Sequence, residues 1–295
     1  MTVPTFTLSD NTTIPAIGYG TGTKWYGGPS DQVSAGVETA IEAGFIHLDG
    51  AEMYKNEAGL GAGAKLSDPN ERKKFYITTK VADGAADIPK ALDESLRKLG
   101  TSYVDLYLLH SPFLPEGVTI ESAWEQLVAA QAAGKVRSIG VSNFRVEDLE
   151  KLAKASAVKP VVNQIEFSPY LQNQTPGIFK YAKAHNITLE AYSPLGPLAA
   201  QAKAAAGTEL PLTPVLKRLA DKYNRTPGQI LLRWTYQNGV LPITTSEKLD
   251  RLKQALDIFS FELEQAEVDE ISDVGATHTF RQYWTNKFFS DNERL

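Results

Sequence analysis

Four side chains in the first half of the chain have the chemistry of a proton-transfer site: Asp49 and Tyr54 in HLDGAEMYKNE (47–57), Lys80 ending FYITTK (75–80) and His110 ending VDLYLLH (104–110). A free phenol, with a pKa of about 10, is a poor acid at neutral pH, but a neighbouring ammonium favours its phenolate and lowers that value. Lys80 is the candidate for that charge, Asp49 can hold Lys80 as an ion pair, and His110 can hydrogen-bond and orient an oxygen. Together they suit protonation of a carbonyl oxygen, with Tyr54 as general acid. Taken singly, each has a plainer reading as a cap, a surface group or a hydrogen-bonded core residue; their joint occurrence favours the chemical one. Protonation of the oxygen leaves the carbon needing a hydride, which no side chain has to give and which a nicotinamide cofactor would supply. Ser142 and Asn143 after the fifth apolar run and Asn163 and Gln164 in the sixth suit a carboxamide, and the flat ring of Tyr192 suits a nicotinamide face.

These residues must be positioned by the elements that end at them. Short β-rich apolar runs occur at 16–21, 45–49, 75–80, 104–110, 137–142, 161–166, 188–193 and 240–245, most of them too apolar to have a solvent face. Amphipathic helical patterns follow at 31–43, 56–66, 89–99, 121–133, 146–156, 176–185, 226–238 and 248–257. Eight strands each followed by a helix predict one α/β domain over 1–295, a (β/α)8 TIM barrel, whose chemistry sits at the carboxyl ends of the strands. A doubly wound sheet would also alternate, but more often stops at about six strands. TFTL and TTIP, flanking Ser9-Asp10-Asn11, predict an N-terminal β-hairpin. Outside the repeat lie a long loop at 194–225 with an extra helix at 213–223, a helix at 264–273 and an aromatic tail at 275–295. Long loops in a compact domain are usually functional, so these segments are expected to wall a substrate pocket. The pocket candidates are Trp25, Met53, Phe113, Leu114, Tyr283 and Trp284, whereas Trp124 and Trp234 fall on helix faces and are expected in the core.

The 295 residues are 42% hydrophobic and 22% charged, a globular composition. Thirty basic against thirty-five acidic residues give a net charge of −5, so no general basic surface exists to attract nucleic acid or anionic lipid. Cysteine is absent, which excludes disulfides and thiolate chemistry. No long apolar run suggests a membrane span and the first residues do not read as a signal peptide, so a cytoplasmic protein is expected. The expected partner is a small carbonyl compound met by a monomer. A metal-dependent hydrolase would need clustered histidines at strand ends; the chain has four histidines and no HxH pair after the first strand, so no metal is expected.

At these residues the sequence resembles the aldo-keto reductase family, through LDGAEMYKNE, ITTKV, LLHSP, IGVSNF, VNQIEFSPY, AYSPLGPL and ILLRW in the family's order. The resemblance implies that Asp49, Tyr54, Lys80 and His110 form its catalytic tetrad, with Asp49 also near the cofactor. It implies that Ser142, Asn143 and Gln164 bind the carboxamide, that Tyr192 stacks on the ring, and that NADPH lies extended on the barrel without a Rossmann fold. Thr21, Gly22 and Thr23 fall near the family's glycine-threonine cofactor contact, and Ser193 and Leu195 follow the stacking tyrosine. The glycines of GLGAG (59–63) do not form a dinucleotide loop and are read as close packing. Many members carry a lysine after the proline of the last strand, to hold the 2′-phosphate of NADPH. Here Ile243 takes that place, and Thr244, Thr245, Ser246, Lys248 and Arg251 are the candidates for the phosphate. Gly50 stands where a threonine is frequent, which touches the cofactor surroundings and not the tetrad. The departures resemble a fungal branch that includes α-keto amide and conjugated polyketone reductases, implying activated ketones as substrates: α-keto amides and esters, cyclic diketones, ketopantoyl lactone, and in addition aldehydes. The alternative is a cofactor-binding regulatory subunit with little turnover, against which an intact tetrad argues.

Overall fold

The computed structural model describes residues 3–285. Strands β1 (Thr5–Thr7) and β2 (Thr13–Pro15) pair antiparallel, with Phe6 opposite Ile14, as the hairpin pattern predicts. Then β3 (Gly18–Gly20), β4 (His47–Asp49), β5 (Tyr76–Val81), β6 (Val104–Leu109), β7 (Val136–Ser142), β8 (Val162–Glu166), β9 (Thr188–Tyr192) and β10 (Leu241–Thr244) close in that order into a barrel. All barrel pairings are parallel, and β10 returns to β3 with Ile243 opposite Gly18. This is the (β/α)8 fold that the alternation predicts. Several apolar runs overshoot their strands: Ala16 and Phe45 are buried without belonging to β3 or β4.

The outer layer consists of α1 (Ser30–Ala43), α2 (Glu57–Gly63), α3 (Pro69–Arg72), α4 (Ile88–Leu99), α5 (Ile120–Ala132), α6 (Val146–Ala155), α7 (Ile178–Ala184), α8 (Gly196–Lys203), α9 (Leu212–Tyr223), α10 (Pro227–Gln237), α11 (Leu249–Leu256) and α12 (Gln265–Ala276). Their starts follow local chemistry. Thr119 and Thr226 cap α5 and α10, each accepting from a backbone amide of the first turn while that residue's side chain reaches back. The apolar faces of the helices meet the outward side chains of the strands in one continuous core that includes Trp124 and Trp234. Each large side chain buried there contributes about 1.5–3 kcal/mol. A smaller inner cluster, Leu106, Leu108, Val162, Leu241 and Ile243, fills the barrel itself and is closed from below by Leu8 and Ile14 of the hairpin. The hairpin is tied there by Asp10, whose carboxylate accepts from the Thr12 amide at 3.0 Å and from Ser138 Oγ of β7 at 2.7 Å. Chemistry is therefore confined to the opposite, carboxyl end.

Two local expectations change. The segment read as a long loop at 194–225 contains α8, because Pro197 suits a first helical turn and Leu198-Ala199-Ala200-Gln201-Ala202-Lys203 are strong helix formers, although they show no amphipathic period. Tyr54 sits on one turn of 3₁₀ helix, Glu52–Tyr54, between the strand predicted at 45–49 and the helix predicted at 56–66, where no element was expected. The glycines of GLGAG do serve packing: they lie in α2 against α1 and the end of α4. Among the described residues no helix is long and apolar enough to cross a membrane.

Gly61 shows how tight that packing is, since a methyl group there would collide with the backbone carbonyl of Leu99, which has no rotamer to change. Gly61→Ala is expected to destabilise the fold by about 1–3 kcal/mol, the usual range for overpacking. Circular dichroism melting checks this; an unchanged midpoint would contradict the packing.

Candidate active site

Closure of the barrel puts the ends of β4, β5 and β6 side by side, with Asp49 opposite Thr78 and Lys80 opposite Leu108. Lys80 has no exposed surface, and its ammonium donates to Asp49 Oδ1 at 2.6 Å, to the Gly50 carbonyl at 2.9 Å and to the Tyr54 phenol oxygen at 3.4 Å. Three directed acceptors suit an ammonium's three hydrogens. The turn that carries Tyr54 is fixed by Glu52, whose carboxylate accepts from the amides of Ala82 at 2.9 Å and Gly84 at 3.2 Å in the loop after β5. It ends at Lys55, in the left-handed region at φ 55°. The imidazole of His110 meets the Tyr54 ring edge-on with centroids 5.4 Å apart, and its buried Nδ1 has no hydrogen-bond partner among the described residues. Gly22 lies across from the phenol, and a Cβ there would come within 2.5 Å of Tyr54 Cζ, so only glycine leaves the phenol its place.

The electrostatics differ in one respect from the expectation of a phenol made more acidic. Burial pushes the Tyr54 phenol up, and the Lys80 ammonium only partly opposes that. Burial likewise works against the Lys80 charge, but the Asp49 carboxylate outweighs it and holds the ammonium above its ordinary value. His110 is driven well below the ordinary histidine value by burial and then by Lys80, so its imidazole is neutral at pH 7. The site thus holds a protonated phenol, an ammonium and a neutral imidazole.

Above this set opens a cavity of about 450 Å³ at the carboxyl face. Asp49, Tyr54 and His110 form its floor; Ser142, Asn143, Gln164 and Tyr192 form one wall. Gly22 and Thr23 lie opposite, and Ser193, Leu195, Thr244 and Thr245 line the far end. Met53, Tyr283 and Trp284 also line it, as expected of pocket residues. The wall is held by a network. Ser142 Oγ donates to the Gln164 carbonyl at 2.8 Å, and Asn143 Nδ2 donates to the His110 carbonyl at 2.9 Å. Asn143 Oδ1 accepts from the Tyr192 phenol at 2.7 Å and from Gln174 Nε2 at 2.9 Å. Gln164 Nε2 donates to Asp49 Oδ2 at 2.9 Å and to Glu190 Oε2 at 2.7 Å. Asn143 and Ser193 both have positive φ, at 61° and 54°, a cost accepted where a site must be shaped.

Several expected residues lie elsewhere. Trp25 is buried beneath α1 against Gly36, and its indole N–H donates to the Tyr19 phenol at 2.6 Å, so it is core and not pocket. Phe113 is exposed outside the cavity beside the Arg145 guanidinium, and Leu114 packs on the outer core. Thr21 points away from the cavity, its hydroxyl donating to the Asp49 carbonyl at 3.0 Å. Ser246, Lys248 and Arg251 are outside the cavity but gather at the start of α11, where the Lys248 amide donates to Ser246 Oγ at 3.0 Å and both basic side chains are exposed.

Residues missed from the sequence include Tyr26, on the rim at 6.1 Å from the Tyr54 ring, together with Gln174, Glu190 and Glu166. Glu190 and Glu166 did leave a signal, a carboxylate inside an apolar strand run; Gln174 and Tyr26 left none, being loop residues. Glu166, at the end of β8, accepts from the backbone amides of Gln282 at 2.7 Å and Tyr283 at 3.1 Å, one on each oxygen. This clasp holds the tail over the cavity. The tail residues beyond 285 lie outside the described ones.

Comparison with known proteins agrees with this fold and gives the family. The Aldo/keto reductase family profile matches residues 16–276. The NADPH-dependent alpha-keto amide reductase of Saccharomyces cerevisiae is 44% identical over 96% of this chain and 95% of that protein. The NAD/NADP-dependent indole-3-acetaldehyde reductase of Schizosaccharomyces pombe is 41% identical over 92% of this chain and 95% of that one. Among solved structures, an aldo-keto reductase of Bombyx mori in complex with NADP superposes with a TM-score of 0.84 at 34% identity, covering 93% of each chain.

The clasp has a pH dependence. Burial raises the Glu166 carboxyl to about 7, against the two amides, Arg281 and Lys203, and protonation takes away one acceptor oxygen. Binding of a bulky carbonyl compound is therefore expected to weaken as pH falls through about 7. Glu166→Gln should raise KM about three- to tenfold above pH 7, converge with the wild type below it, and leave kcat within about twofold, because one lost hydrogen bond is worth about 0.5–1.5 kcal/mol. Steady-state kinetics across pH check this; a KM in the variant that still rises as pH falls would rule the clasp out.

Proposed function

Because the chain belongs to the aldo/keto reductase family, we propose that it reduces activated ketones, and in addition aldehydes, to alcohols with NADPH, with Tyr54 as the general acid. The observation that carries this reading is the Lys80 ammonium, donating at once to Asp49 and Tyr54 in the floor of a cavity beside a neutral His110.

The residues present fit a nicotinamide dinucleotide. Gln164 spends both Nε2 hydrogens on Asp49 and Glu190, which leaves its Oε1 to accept from a carboxamide NH₂. Tyr192 lines the same wall and offers a flat ring held by Asn143 and Gln174. At the other end, Lys248 and Arg251 at the start of α11, with the hydroxyls of Thr244, Thr245 and Ser246, suit the 2′-phosphate of NADPH. When bound, such a cofactor supplies the hydride that the carbonyl carbon takes up.

The side chains then act on the oxygen. Neutral His110 donates a hydrogen bond and orients it. Tyr54 is protonated at rest, as an acid must be, and gives up its proton as the oxygen gains charge. Lys80 stabilises the phenolate left behind, and Asp49 balances Lys80 so that no net charge accumulates in a buried place. Ketones with an adjacent electron-withdrawing carbonyl accept hydride most easily, and the similarity to the yeast α-keto amide reductase supports that class.

The deciding assay is NADPH consumption, with NADH in parallel, against ketopantoyl lactone, isatin, ethyl pyruvate and simple aldehydes; tight NADPH binding with no turnover would favour a regulatory subunit instead. Tyr54→Phe is expected to lower kcat by about 10²–10⁴, the range for one proton-transferring group, with NADPH affinity within about twofold. Lys248→Ala or Arg251→Ala should each weaken NADPH binding about ten- to hundredfold and leave NADH binding alone, since a charged hydrogen bond to phosphate is worth about 1.5–3 kcal/mol. Fluorescence titration with both cofactors measures this, and equal losses for both would refute the phosphate assignment.

A further inference from the structure

Glu190 lies in the middle of β9, fully buried, between Gln164 of β8 and Leu241 of β10. Its Oε2 accepts from Gln164 Nε2 at 2.7 Å, while its Oε1 is buried with no hydrogen-bond partner among the described residues. The same Gln164 nitrogen donates to Asp49 Oδ2 at 2.9 Å, so two carboxyl groups converge on one amide. The titratable groups facing Glu190 across the barrel are Asp49 from β4 and Lys80 and Tyr76 from β5. Among these the cation is Lys80, and Asp49 already holds it at 2.6 Å. Two carboxylates and one ammonium, none more than 2% exposed, would leave an unbalanced negative charge in a low-dielectric interior, where an isolated ion is strongly disfavoured. Burial first, and the Asp49 charge second, push the Glu190 carboxyl up to about 8.

We propose that Glu190 is a positioning residue that carries a proton at neutral pH, keeps Gln164 aimed at the nicotinamide wall, and on losing that proton shifts the site from reduced towards oxidised cofactor. The inference rests on the cofactor reading of Gln164 given above. As a neutral acid, Glu190 accepts from Gln164 through its carbonyl oxygen and leaves the Asp49–Lys80 pair balanced. Once ionised, with its proton passed to solvent, it places a full negative charge one hydrogen bond from Gln164. That charge attracts the cationic nicotinamide of NADP⁺ and does nothing comparable for the uncharged ring of NADPH. By linkage, NADP⁺ binding should favour release of the Glu190 proton to the same degree.

Two measurements test this. The affinities for NADP⁺ and NADPH are titrated by intrinsic fluorescence from about pH 6 to about pH 9.5 on the wild type and on Glu190→Gln, whose amide mimics the protonated acid. In the wild type the preference for NADP⁺ relative to NADPH should grow on the order of tenfold as pH rises, as expected of one unit charge acting across a protein interior. In Glu190→Gln the ratio should stay at its low-pH value. An identical rise in both proteins overturns the proposal, as does a flat wild-type ratio.

The second measurement needs neither cofactor nor a Glu190 variant. The infrared spectrum is recorded in the Glu57→Gln/Glu166→Gln background, to remove the two other carboxyls that burial raises. It should contain a protonated-carboxyl C=O band at about pH 7 that disappears by about pH 9.5. Absence of that band at pH 7 overturns the proposal even if the glutamine variant at 190 fails to fold. Should the wild type bind neither cofactor, the functional reading fails, while the infrared band still decides whether Glu190 carries its proton.

Discussion

An ammonium with no exposed surface, bound to a carboxylate at 2.6 Å, constrains the whole carboxyl face of this barrel. Removing either partner would strand a charge in the interior, at a cost of about 3–5 kcal/mol, so the pair persists only because both members are fully satisfied. Lys80 meets its three acceptors on β4 and the turn after it, while Asp49 divides its oxygens between Lys80 and Gln164. Each of those contacts depends on adjacent strands keeping register. A slip of one residue between β4 and β5 would turn Lys80 towards the helices and leave Asp49 alone.

From this pair a polar network spreads upward while the barrel below it stays dry. The inner floor is leucine, isoleucine and valine, capped by the hairpin. The upper tier consists of amides and phenols whose donors and acceptors are largely committed to one another. Asn143 uses both its side-chain oxygen and nitrogen on neighbours, and Gln164 uses both of its amide hydrogens. Such a network preorganises the wall, since groups already hydrogen-bonded in place need little reorganisation when a ligand arrives. Among the described residues it also leaves two interior atoms without a hydrogen-bond partner, His110 Nδ1 and Glu190 Oε1.

The cavity roof is built on a different principle. Tyr283 and Trp284 belong to a tail held by backbone bonds to Glu166 and by the Phe280 amide donating to the Tyr170 carbonyl at 3.1 Å. Charges fix the floor, whereas hydrogen bonds from a terminal segment hold the roof, among them Arg281 donating to the Gln174 carbonyl at 2.7 Å. One scaffold can thus keep a constant polar floor while loops and tail set the shape of the cavity above it.

The fold and the floor of the site were legible in the sequence. Alternating periods identified the strands and helices to within a few residues, and strand ends directed attention to Asp49, Tyr54, Lys80 and His110, because a barrel orients the side chain at each strand end by local geometry alone. The loops were less legible. Trp25 and Phe113 looked like pocket residues because aromatic loop residues often are, but Trp25 found a phenol to bond under α1 and Phe113 stayed outside. The alanine-rich start of the loop after β9 became α8 through propensity rather than period. By itself the sequence determined which residues stand at the carboxyl end of each strand, since period and face are properties of neighbouring residues. Tertiary structure alone decided that Gln164 joins Asp49 across 115 residues of chain, that Glu190 shares the Lys80 ammonium with Asp49, and that Glu166 holds the tail. Those contacts arise from closing the barrel, which brings together groups whose separation along the chain carries no information about their distance in space.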